Sequence, residues 1–334
     1  MPEALIWTYN PDLPSFRHRI RPALPHLEAA GWRIRIDRVE RKRYGTRLLD
    51  RRRDLARADL LILAKINLAI GEAVMLRRLA PTTVFDFDDA LFLAQPSRLG
   101  GRPHPSPVRR WKFGTTIRSA RRVIAGNAFL AAGARRYGAG DIEVVPTPVE
   151  LPSMNDAPRR DGHTLVWIGR PENLVYLELI RPALVTLAQR HHGLRLRIIS
   201  SRFPDWPDVP IERVHWSPET ERSGLLSADI GVMPLTHDSW AQGKCAFKLL
   251  QYMAAGLPSV ATPVGMSRDV VIDGVTGRWA GDLGAWVAAI EELLTHPERR
   301  AAWGAAARAS AEKRWSRRVI APRMAAAITA AVAA

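Results

Sequence analysis

The chain has 334 residues, 49 of them lysine or arginine and 33 aspartate or glutamate, which gives a formal net charge of +16. An apolar content of 47% argues against a disordered chain, and no apolar run is long enough to span a bilayer. The single cysteine, Cys245, excludes a disulfide framework and a cysteine zinc site. The length favours two domains, and because the first residues lack a signal-peptide pattern we expect a cytoplasmic protein.

The positive charge is concentrated in the first half. Residues 1–150 contain 27 basic and 15 acidic residues, whereas the rest contains 22 and 18. The excess peaks in residues 33–57, which include "ERKRYGTRLLDRRRDLAR". Such a patch suits an anionic membrane, an anionic substrate or nucleic acid, although an arginine-rich composition alone also produces a basic surface. Little aromatic interleaving and no known binding motif argue against nucleic acid, so we expect peripheral binding to the inner face of the cell membrane.

Strand-like and helix-like segments alternate through the first half. "ALIWTY" predicts a strand, and a helix over residues 17–30 should end at Gly31 before the strand "WRIRID". A basic helix over residues 46–57 precedes "LLILAK", and a helix after Gly71 precedes "TTVFDFDD". "RRVIAGN", a short helix from Asn127 and "IEVVPTPV" complete this half. Strands separated by such helices predict a parallel sheet with helices on both faces.

The second half repeats this alternation after a polar segment, residues 151–162, that we interpret as a linker. It contains "HTLVWIG", a helix over residues 176–190, "RLRIIS", "ERVHWS" and "IGVMPL". Residues 230–262 predict a buried strand, a loop, an apolar helix ending at Gly256 and a second buried strand. A helical region follows from Asp282, interrupted at Pro297 and Pro322. We therefore predict one doubly wound sheet in each half.

Three polar side chains interrupt the apolar helix predicted before Gly256: Lys244, Lys248 and Gln251. Their spacing of i, i+4 and i+7 places them on one helical face, while Phe247 should pack on the sheet with its apolar neighbours. Two lysines near a helix start, together with the unpaired N–H groups of its first turn, predict an anion site. A solvated lysine stripe is the simpler alternative, but the flanking residues are too apolar for an exposed helix.

Motifs along nearly the whole chain resemble the group 1 (family-4-like) glycosyltransferases, which use nucleotide sugars and have the GT-B fold. They are "SFRHRI", "FDFDDALF", "GNAFLAA", "VVPTPVE", "WIGRPENLVYL", "DIGVMPL", "GKCAFKLLQYMAAGLPSVA" and "VIDGVTGRW", and residues 248–260 are the most specific. The resemblance implies an α/β protein with two facing Rossmann-like doubly wound parallel-sheet domains and a cleft between them. We expect an acceptor-side domain over residues 1–155, a nucleotide-sugar domain over 156–310, and a C-terminal helix over 311–334 that packs back toward the first domain.

The resemblance places the nucleoside-diphosphate sugar mainly on the second domain. Arg170 follows a buried strand, where open parallel sheets bind ligands, and its guanidinium could clamp a pyrophosphate or could simply pair with Glu172. Trp216 and Ser217 lie where the family places the base, although Trp216 could equally belong to the core. The full set of expected donor-binding residues is Gly169, Arg170, Trp216, Ser217, Gly243, Lys244, Phe247, Lys248 and Gln251.

Two departures from the family affect the donor site. Family members commonly carry two glutamates at the positions of Gly243 and Gln251. The second typically holds the ribose hydroxyls, a task that Gln251 could perform without charge, whereas the first, which touches the donor sugar, has no equivalent here. A lysine expected shortly after Arg170 is also absent, and Lys244 or Lys248 could replace its charge.

On the acceptor side, Asp88 and Asp89 end an apolar strand, from which they could orient or polarise the acceptor hydroxyl or cap a helix. An alternative takes Asp86 and Asp88 as the divalent-metal site of a GT-A fold, but it leaves residues 163–280 unexplained. The loop after the first strand should border the site. Its candidate residues are Ser15, Arg17 and His18, and of these we take His18 as a solvated surface group rather than a base.

These observations predict a glycosyltransferase that needs neither metal nor cofactor. Arg170, Lys244 and Lys248 would stabilise the leaving diphosphate, while Asp88 and Asp89 would act on the acceptor. The resemblance implies retention of configuration, and we expect a lipid-linked or cell-envelope glycan precursor as acceptor. The alternatives are a catalytically impaired sugar-nucleotide binder, a nucleotide-sugar epimerase of the same fold, which would need an acid–base pair, and a nucleic-acid binder.

Overall fold

A computed structural model describes residues 1–40, 46–79, 82–94, 106–155 and 160–333, and these residues form two six-stranded sheets. Every pairing between the named strands is parallel. Each sheet is built from one half of the chain and is flanked by helices. The predicted architecture of two doubly wound parallel sheets is confirmed.

The first sheet has the strand order β2-β1-β3-β4-β5-β6. Its strands are β1 (Glu3–Thr8), β2 (Arg33–Arg38), β3 (Leu60–Ala64), β4 (Thr82–Phe87), β5 (Arg122–Ala125) and β6 (Asp141–Val144). All five residues of β3 are buried, as the apolar run "LLILA" predicts for a central parallel strand. The strand order reverses between β1 and β3, and ligands of such sheets bind at this reversal, outside the carboxyl ends of the strands.

The helices of the first half are α1 (Leu24–Ala29), α2 (Thr46–Asp50), α3 (Arg52–Arg57), α4 (Ile70–Leu79), α5 (Pro107–Ser119) and α6 (Ala128–Arg136). The single helix predicted over residues 17–30 is wrong, because a π-helical turn (Phe16–Ile20) and a 3₁₀ turn (Arg21–Ala23) precede α1. Pro22 and Pro25 lack backbone N–H donors, so they interrupt the helical hydrogen bonding, and Pro25 is tolerated only in the first turn of α1. The predicted basic helix is divided into α2 and α3, and α5 was not predicted.

The second sheet has the order β12-β11-β10-β7-β8-β9, which reverses between β7 and β10. Its strands are β7 (Thr164–Ile168), β8 (Arg195–Ser200), β9 (Ile211–His215), β10 (Ile230–Met233), β11 (Ser259–Ala261) and β12 (Gly277–Trp279). The remaining helices are α7 (Arg181–Arg190), α8 (Pro218–Leu226), α9 (Ser239–Gln242), α10 (Phe247–Ala254), α11 (Ser267–Val270), α12 (Leu283–Thr295), α13 (Pro297–Ser310) and α14 (Arg317–Ala333). A 3₁₀ segment (Pro171–Leu179) precedes α7, and a π-helical turn (Ala311–Trp315) precedes α14.

The helix predicted to carry both lysines is α10, but only Lys248 lies in it. Ala246, the residue before α10, has φ = 50°, a left-handed conformation that turns the chain sharply. Lys244 therefore lies in the loop between α9 and α10, and the prediction that it shares a helical face with Lys248 is wrong. Gly256, with φ = 69°, ends the helix as predicted.

The chain crosses between the domains twice, and the two crossings lie side by side. Val149 forms a parallel bridge with Ser316, its N–H donates to Trp315 O (2.8 Å), and its carbonyl accepts from Arg317 N–H (3.0 Å). After the second crossing, α14 packs on the first sheet, where Ile320, Met324 and Ile328 are buried together with Ile6. None of the helices within the described residues combines the length and the hydropathy that a membrane span requires.

Candidate active site between the two sheets

Loops that follow strands of both sheets contact one another directly. Asn127 caps α6 through its Oδ1, and its Nδ2 donates to the carbonyls of Gln242 (3.3 Å) and Lys244 (3.1 Å) on the other domain. Cys245 Sγ donates to Asp88 O (3.2 Å), and burial raises the pKa of this thiol. The first domain therefore holds the loop that carries Lys244 in place.

Gly243, where the family carries a glutamate, lies against the first domain. A Cβ at this position would be 2.7 Å from Ala90 Cβ and 3.3 Å from Trp240 O. Real Cβ atoms are not found at 2.7 Å from another heavy atom, so no side chain fits while the domains are in contact. Glycine at position 243 thus permits close packing between the domains.

The two lysines lie in different surroundings. Lys244 Nζ donates to Asn173 Oδ1 (3.2 Å) and lies 5.2 Å from the ring centre of Tyr176. Lys248 Nζ lies 4.4 Å above the ring of Trp167, and among the described residues no carboxylate forms an ion pair with it. Burial, and secondarily the charge of Lys244, lower the pKa of Lys248 to about 7. A buried cation without a counter-ion is poised to bind an anion.

Gly169 and Arg170 follow β7 at the point where the sheet order reverses. A Cβ on Gly169 would be 2.8 Å from Lys248 Cε, so the absence of a side chain leaves room for the lysine stem. The Arg170 side chain is exposed and pairs with Glu172 at 3.2 Å. Exposed pairs of this kind contribute little stability, so this contact would readily yield to a ligand.

A carboxylate from α8 lies beside Gln251. Gln251 Nε2 donates to Glu221 Oε1 (2.8 Å), and Trp216 Nε1 donates to Glu221 Oε2 (2.6 Å). Trp216 is 42% exposed and so does not belong to the core. Ser217 is the N-cap of α8, where its Oγ accepts from Thr220 N–H (3.1 Å). The carboxylate that is missing at position 251 is thus present on the neighbouring helix.

Gln251 and Glu221 line a cavity of about 440 Å³ between the domains. Phe247 also lines it, which corrects the prediction that this ring packs on the sheet. The first domain contributes His18, whose ring centre is 4.5 Å from that of Phe247. Arg17 also lines the cavity and lies 5.0 Å from the ring centre of Trp216. The cavity therefore combines aromatic surface, a carboxylate and a guanidinium.

His18 is not the solvated group that the sequence indicated. Burial, followed by the charges of Arg17 and Arg317, lowers the pKa of His18 to about 3. Its Nε2 is 2.9 Å from an Arg17 guanidinium nitrogen, as expected for a neutral imidazole that accepts a hydrogen bond. Ser15, in the same loop, precedes the π-helical turn and forms no side-chain cap.

In the first domain, the ammonium group of Lys65 pairs with both predicted carboxylates. Lys65 Nζ is 2.8 Å from Asp88 Oδ1 and also pairs with Asp89 Oδ2. Asp86 is instead buried against Arg19, whose Nε donates to both carboxylate oxygens (2.7 and 2.9 Å). Because Asp86 is bound to Arg19 and residues 163–280 form a second parallel sheet, the GT-A alternative is wrong.

Four of these residues were not predicted from the sequence: Arg19, Lys65, Asn127 as a bridge between domains, and Glu221. None belongs to a motif with the residue it contacts. Lys65 precedes Asp89 by 24 residues, and Glu221 precedes Gln251 by 30. The sequence nevertheless contained an indication for Lys65. This residue directly follows an apolar strand, and Asp88 directly follows the next strand along the chain.

In comparisons with known proteins, a family model matches part of the second domain, and solved structures share the fold of the whole chain. Residues 162–296 match the family model of the group 1 glycosyl transferases. HepE from Anabaena, solved in complex with UDP-glucose, is 13% identical with a TM-score of 0.69, and the match covers 98% of this chain and 99% of HepE. Sucrose-phosphate synthase from Thermosynechococcus elongatus is 16% identical over 100% of both chains, with a TM-score of 0.74. A Rickettsia africae glycosyltransferase is 11% identical, with a TM-score of 0.68 and coverage of 99% and 98%. A search of curated protein sequences found no match.

Proposed function

Because the chain has the GT-B fold and residues 162–296 form a group 1 glycosyltransferase domain, we propose that it transfers a sugar from UDP to a hydroxyl acceptor. The observation that carries the proposal is the Lys248 ammonium, which lies over Trp167 with no ion-pair partner in the described residues. It belongs to α10, the helix from which Phe247 and Gln251 line the cavity. UDP is proposed as the nucleotide because HepE, which has the same fold, was solved with UDP-glucose. The protein would act as an enzyme and not merely as a sugar-nucleotide binder.

In the proposed reaction, the bond between the anomeric carbon and the diphosphate oxygen breaks, and its electron pair stays with the diphosphate. Lys248 and Lys244 stabilise the charge that develops there, with Arg170 at the rim of the site. The acceptor oxygen bonds to the anomeric carbon, and its proton passes to the leaving phosphate oxygen. We propose retention of configuration, and the side-chain cations make a divalent metal unnecessary for this charge.

The direct test is calorimetric titration of the protein with UDP, GDP, ADP and dTDP, followed by measurement of UDP release from UDP-glucose, with and without EDTA. We expect UDP to bind most tightly and UDP release to persist in EDTA. A protein that binds UDP but never releases it from a UDP-sugar, in the presence of any glycan acceptor, would be the catalytically impaired binder. Activity that EDTA abolishes and manganese restores would contradict metal independence.

We further propose that Glu221 supplies the carboxylate for the ribose of UDP, with Gln251 as its partner. In Rossmann-like sheets an acidic residue beyond a strand end accepts hydrogen bonds from ribose hydroxyls, and Glu221 lies in the first turn of α8, after β9. Its two oxygens already accept from Gln251 and Trp216, which leaves one lone pair on each for a hydroxyl.

Exchanging the two side chains tests this assignment. Glu221→Gln should weaken UDP binding about tenfold, as expected for a lost charge-assisted hydrogen bond, and should abolish discrimination against 2′-deoxy-UDP. Gln251→Glu alone should also weaken binding, because it places two carboxylates in contact, whereas the double exchange should restore it. Glu219→Gln is the matched control, since Glu219 lies in the same turn of α8 and binds Ser217 Oγ instead. Equal affinities in all four variants would show that Glu221 does not contact the ribose.

The membrane proposal applies to the first domain, although part of the basic segment, residues 41–45, lies outside the described residues. The helix α4 packs against both α2 and α5, and these three helices carry exposed apolar side chains, with exposed arginines on α4 and α5. The apolar set is Leu49, Val74, Val108 and Trp111. We call these four residues and their neighbouring arginines the basic–apolar patch. Its composition suits an anionic lipid surface, with an apolar contribution that the sequence did not indicate. A lipid-linked or envelope glycan acceptor would be reached from this surface.

Liposome co-sedimentation tests the basic–apolar patch. We expect binding to vesicles that contain phosphatidylglycerol, little binding to neutral vesicles, and partial release at high salt, because screening weakens only the ionic part. Val108→Asp should reduce binding at least severalfold, since it adds a negative charge that the anionic lipid repels. Val275→Asp is the matched control, because Val275 is also an exposed valine and lies on the second domain. Equal partitioning to both lipids, or to neither, would contradict the proposal.

A further inference from the structure

Lys65 adopts a conformation that lysine seldom takes. Its φ is 60°, so it lies in the left-handed region that favours glycine or asparagine. Its N–H donates to Asp86 O (2.8 Å), which ties the turn after β3 to the neighbouring strand β4. Strained residues of this kind persist where the surrounding structure holds them, and they concentrate at functional sites. The position of Lys65 also indicates a functional site, because β3 borders the reversal of strand order in the first sheet, where ligands bind.

The side chain of Lys65 is committed to two carboxylates at once. Nζ is 2.8 Å from Asp88 Oδ1 and also pairs with Asp89 Oδ2, so it lies between the ends of β3 and β4. The Asp88 side chain is 17% exposed and that of Asp89 is 37% exposed. Asp89 is therefore the carboxylate that a molecule in the cleft can reach, while Asp88 and Lys65 lie behind it.

The charged forms of Asp88 and Lys65 stabilise each other. Burial favours the neutral form of Asp88, but the charges of Lys65 and Arg19 outweigh it and lower the pKa of this carboxyl. Burial likewise opposes the charged form of Lys65, but Asp88 and Asp89 raise its pKa. Two further cations face these aspartates, because Arg19 acts on Asp88 and Lys244 of the second domain acts on Asp89. The oxygens of the two aspartates offer hydrogen-bond acceptors to a molecule in the cleft.

Resting on the transferase function proposed above, we propose that Lys65 is a positioning residue that holds Asp89 as an anionic acceptor of a hydrogen bond from the hydroxyl to be glycosylated. Asp89 orients the attacking oxygen by accepting its hydrogen bond, and the proton passes to the leaving phosphate oxygen as proposed above. The acceptor group that fits is a hydroxyl that donates to Asp89, such as one on the terminal sugar of a glycan.

The test compares Lys65→Met, which removes the ammonium at similar length, with Lys65→Arg, which keeps a cation. Lys313→Met is the control, because Lys313 is exposed and remote in the π-helical turn before α14. For Lys65→Met we expect UDP affinity within twofold of the wild type, an acceptor KM raised tenfold or more, and an acidic limb of the pH–rate profile displaced to higher pH. Lys65→Arg should recover much of the loss.

Carbon-13 NMR titration of the aspartate carboxyl groups gives a readout that needs neither donor nor acceptor. The Asp88 signal should titrate at higher pH in Lys65→Met than in the wild type, because the charge of Lys65 lowers the pKa of this carboxyl. Unchanged carboxyl titration, or an acceptor KM and pH profile that do not move, would overturn the proposal. A lower melting temperature with unchanged kinetics would likewise show that Lys65 only braces the loop. A wild type that does not bind UDP would contradict the proposed transferase function, and the NMR titration would still decide the ionic role of Lys65.

Discussion

Replacing Lys248 with methionine is expected to weaken UDP binding by about 10- to 100-fold while leaving the protein folded. The ammonium lies over the Trp167 ring without a carboxylate partner among the described residues, so a bound diphosphate would be its counter-ion. A charge-assisted hydrogen bond is worth about 1.5–3 kcal/mol, which corresponds to this range of dissociation constants. Isothermal titration calorimetry measures it directly, with Lys313→Met as the control. Unchanged UDP affinity in folded Lys248→Met would place the anion site elsewhere.

The pH dependence of UDP binding supplies an independent signature of Lys248. Its pKa is lowered to about 7 in the unliganded protein, mainly by burial and then by Lys244, and a bound diphosphate should raise it again. UDP affinity should therefore fall as the pH rises above about 7, and binding should take up a proton in that range. Calorimetry in buffers of different ionisation enthalpy detects this uptake, which Lys248→Met should abolish.

Lys248 also lowers the stability of the unliganded protein. Its pKa is 10.5 when unperturbed and about 7 when folded, so the unfolded chain binds more protons between these values. The contribution of Lys248 to the free energy of unfolding therefore rises as the pH increases from about 7 toward 10.5. The methionine variant, which has no charge to bury, should melt at or above the wild-type temperature at pH 7. Loss of binding together with a gain in stability would identify a functional residue and not a structural one.

Gly243→Ala is expected to reduce sugar transfer by about 100-fold or more while UDP affinity stays within a few fold. The added methyl group would be 2.7 Å from Ala90 Cβ, so the two domains must separate to accommodate it. Displacement of about 1 Å between reacting groups is enough to cost two orders of magnitude in rate. The proposed donor contacts of Lys248, Gln251 and Glu221 lie within the second domain and should survive.

Gly281→Ala is the control for this substitution, because no atom lies within 4 Å of a Cβ built at Gly281. Small-angle scattering of the unliganded variants should show a larger radius of gyration for Gly243→Ala alone. Full transfer activity in Gly243→Ala would mean that the domains do not need this contact for catalysis. Gly243→Glu, which restores the residue common in the family, should be at least as damaging here.

The strands were predictable because burial leaves a local record in the sequence. Runs such as "LLILA" and "TLVWI" are almost entirely apolar and are buried at every position, as expected for a parallel strand covered on both faces. The helix end at Gly256 was equally predictable, since a helix that ends in a left-handed residue usually ends in glycine. The left-handed Ala246 was not, because alanine carries no preference for that conformation and its neighbours decide it.

Site residues could be predicted only where a single residue departs from the pattern of its sequence neighbours. Lys248 interrupts an apolar helix after a buried strand, so its position was informative by itself. Glu221 and Lys65 acquire meaning only from partners 30 and 24 residues away, which the sheet order brings together. Pairs of that kind leave no local pattern, and a lone glutamate in a polar helix resembles any solvated residue. The prediction for His18 was wrong for the same reason, since its burial depends on Phe247 from the other domain.

The paired crossings at Val149 and Ser316 have a consequence for how the protein is made. The C-terminal helix α14 contributes Ile320, Met324 and Ile328 to the core of the first domain. That core is therefore incomplete until α14 has been translated, after the whole second domain. The second domain can fold as a unit on the ribosome, whereas the first must wait for the last helix to emerge. The half of the protein synthesised first is thus completed last, with its apolar surface open to chaperones in the interval.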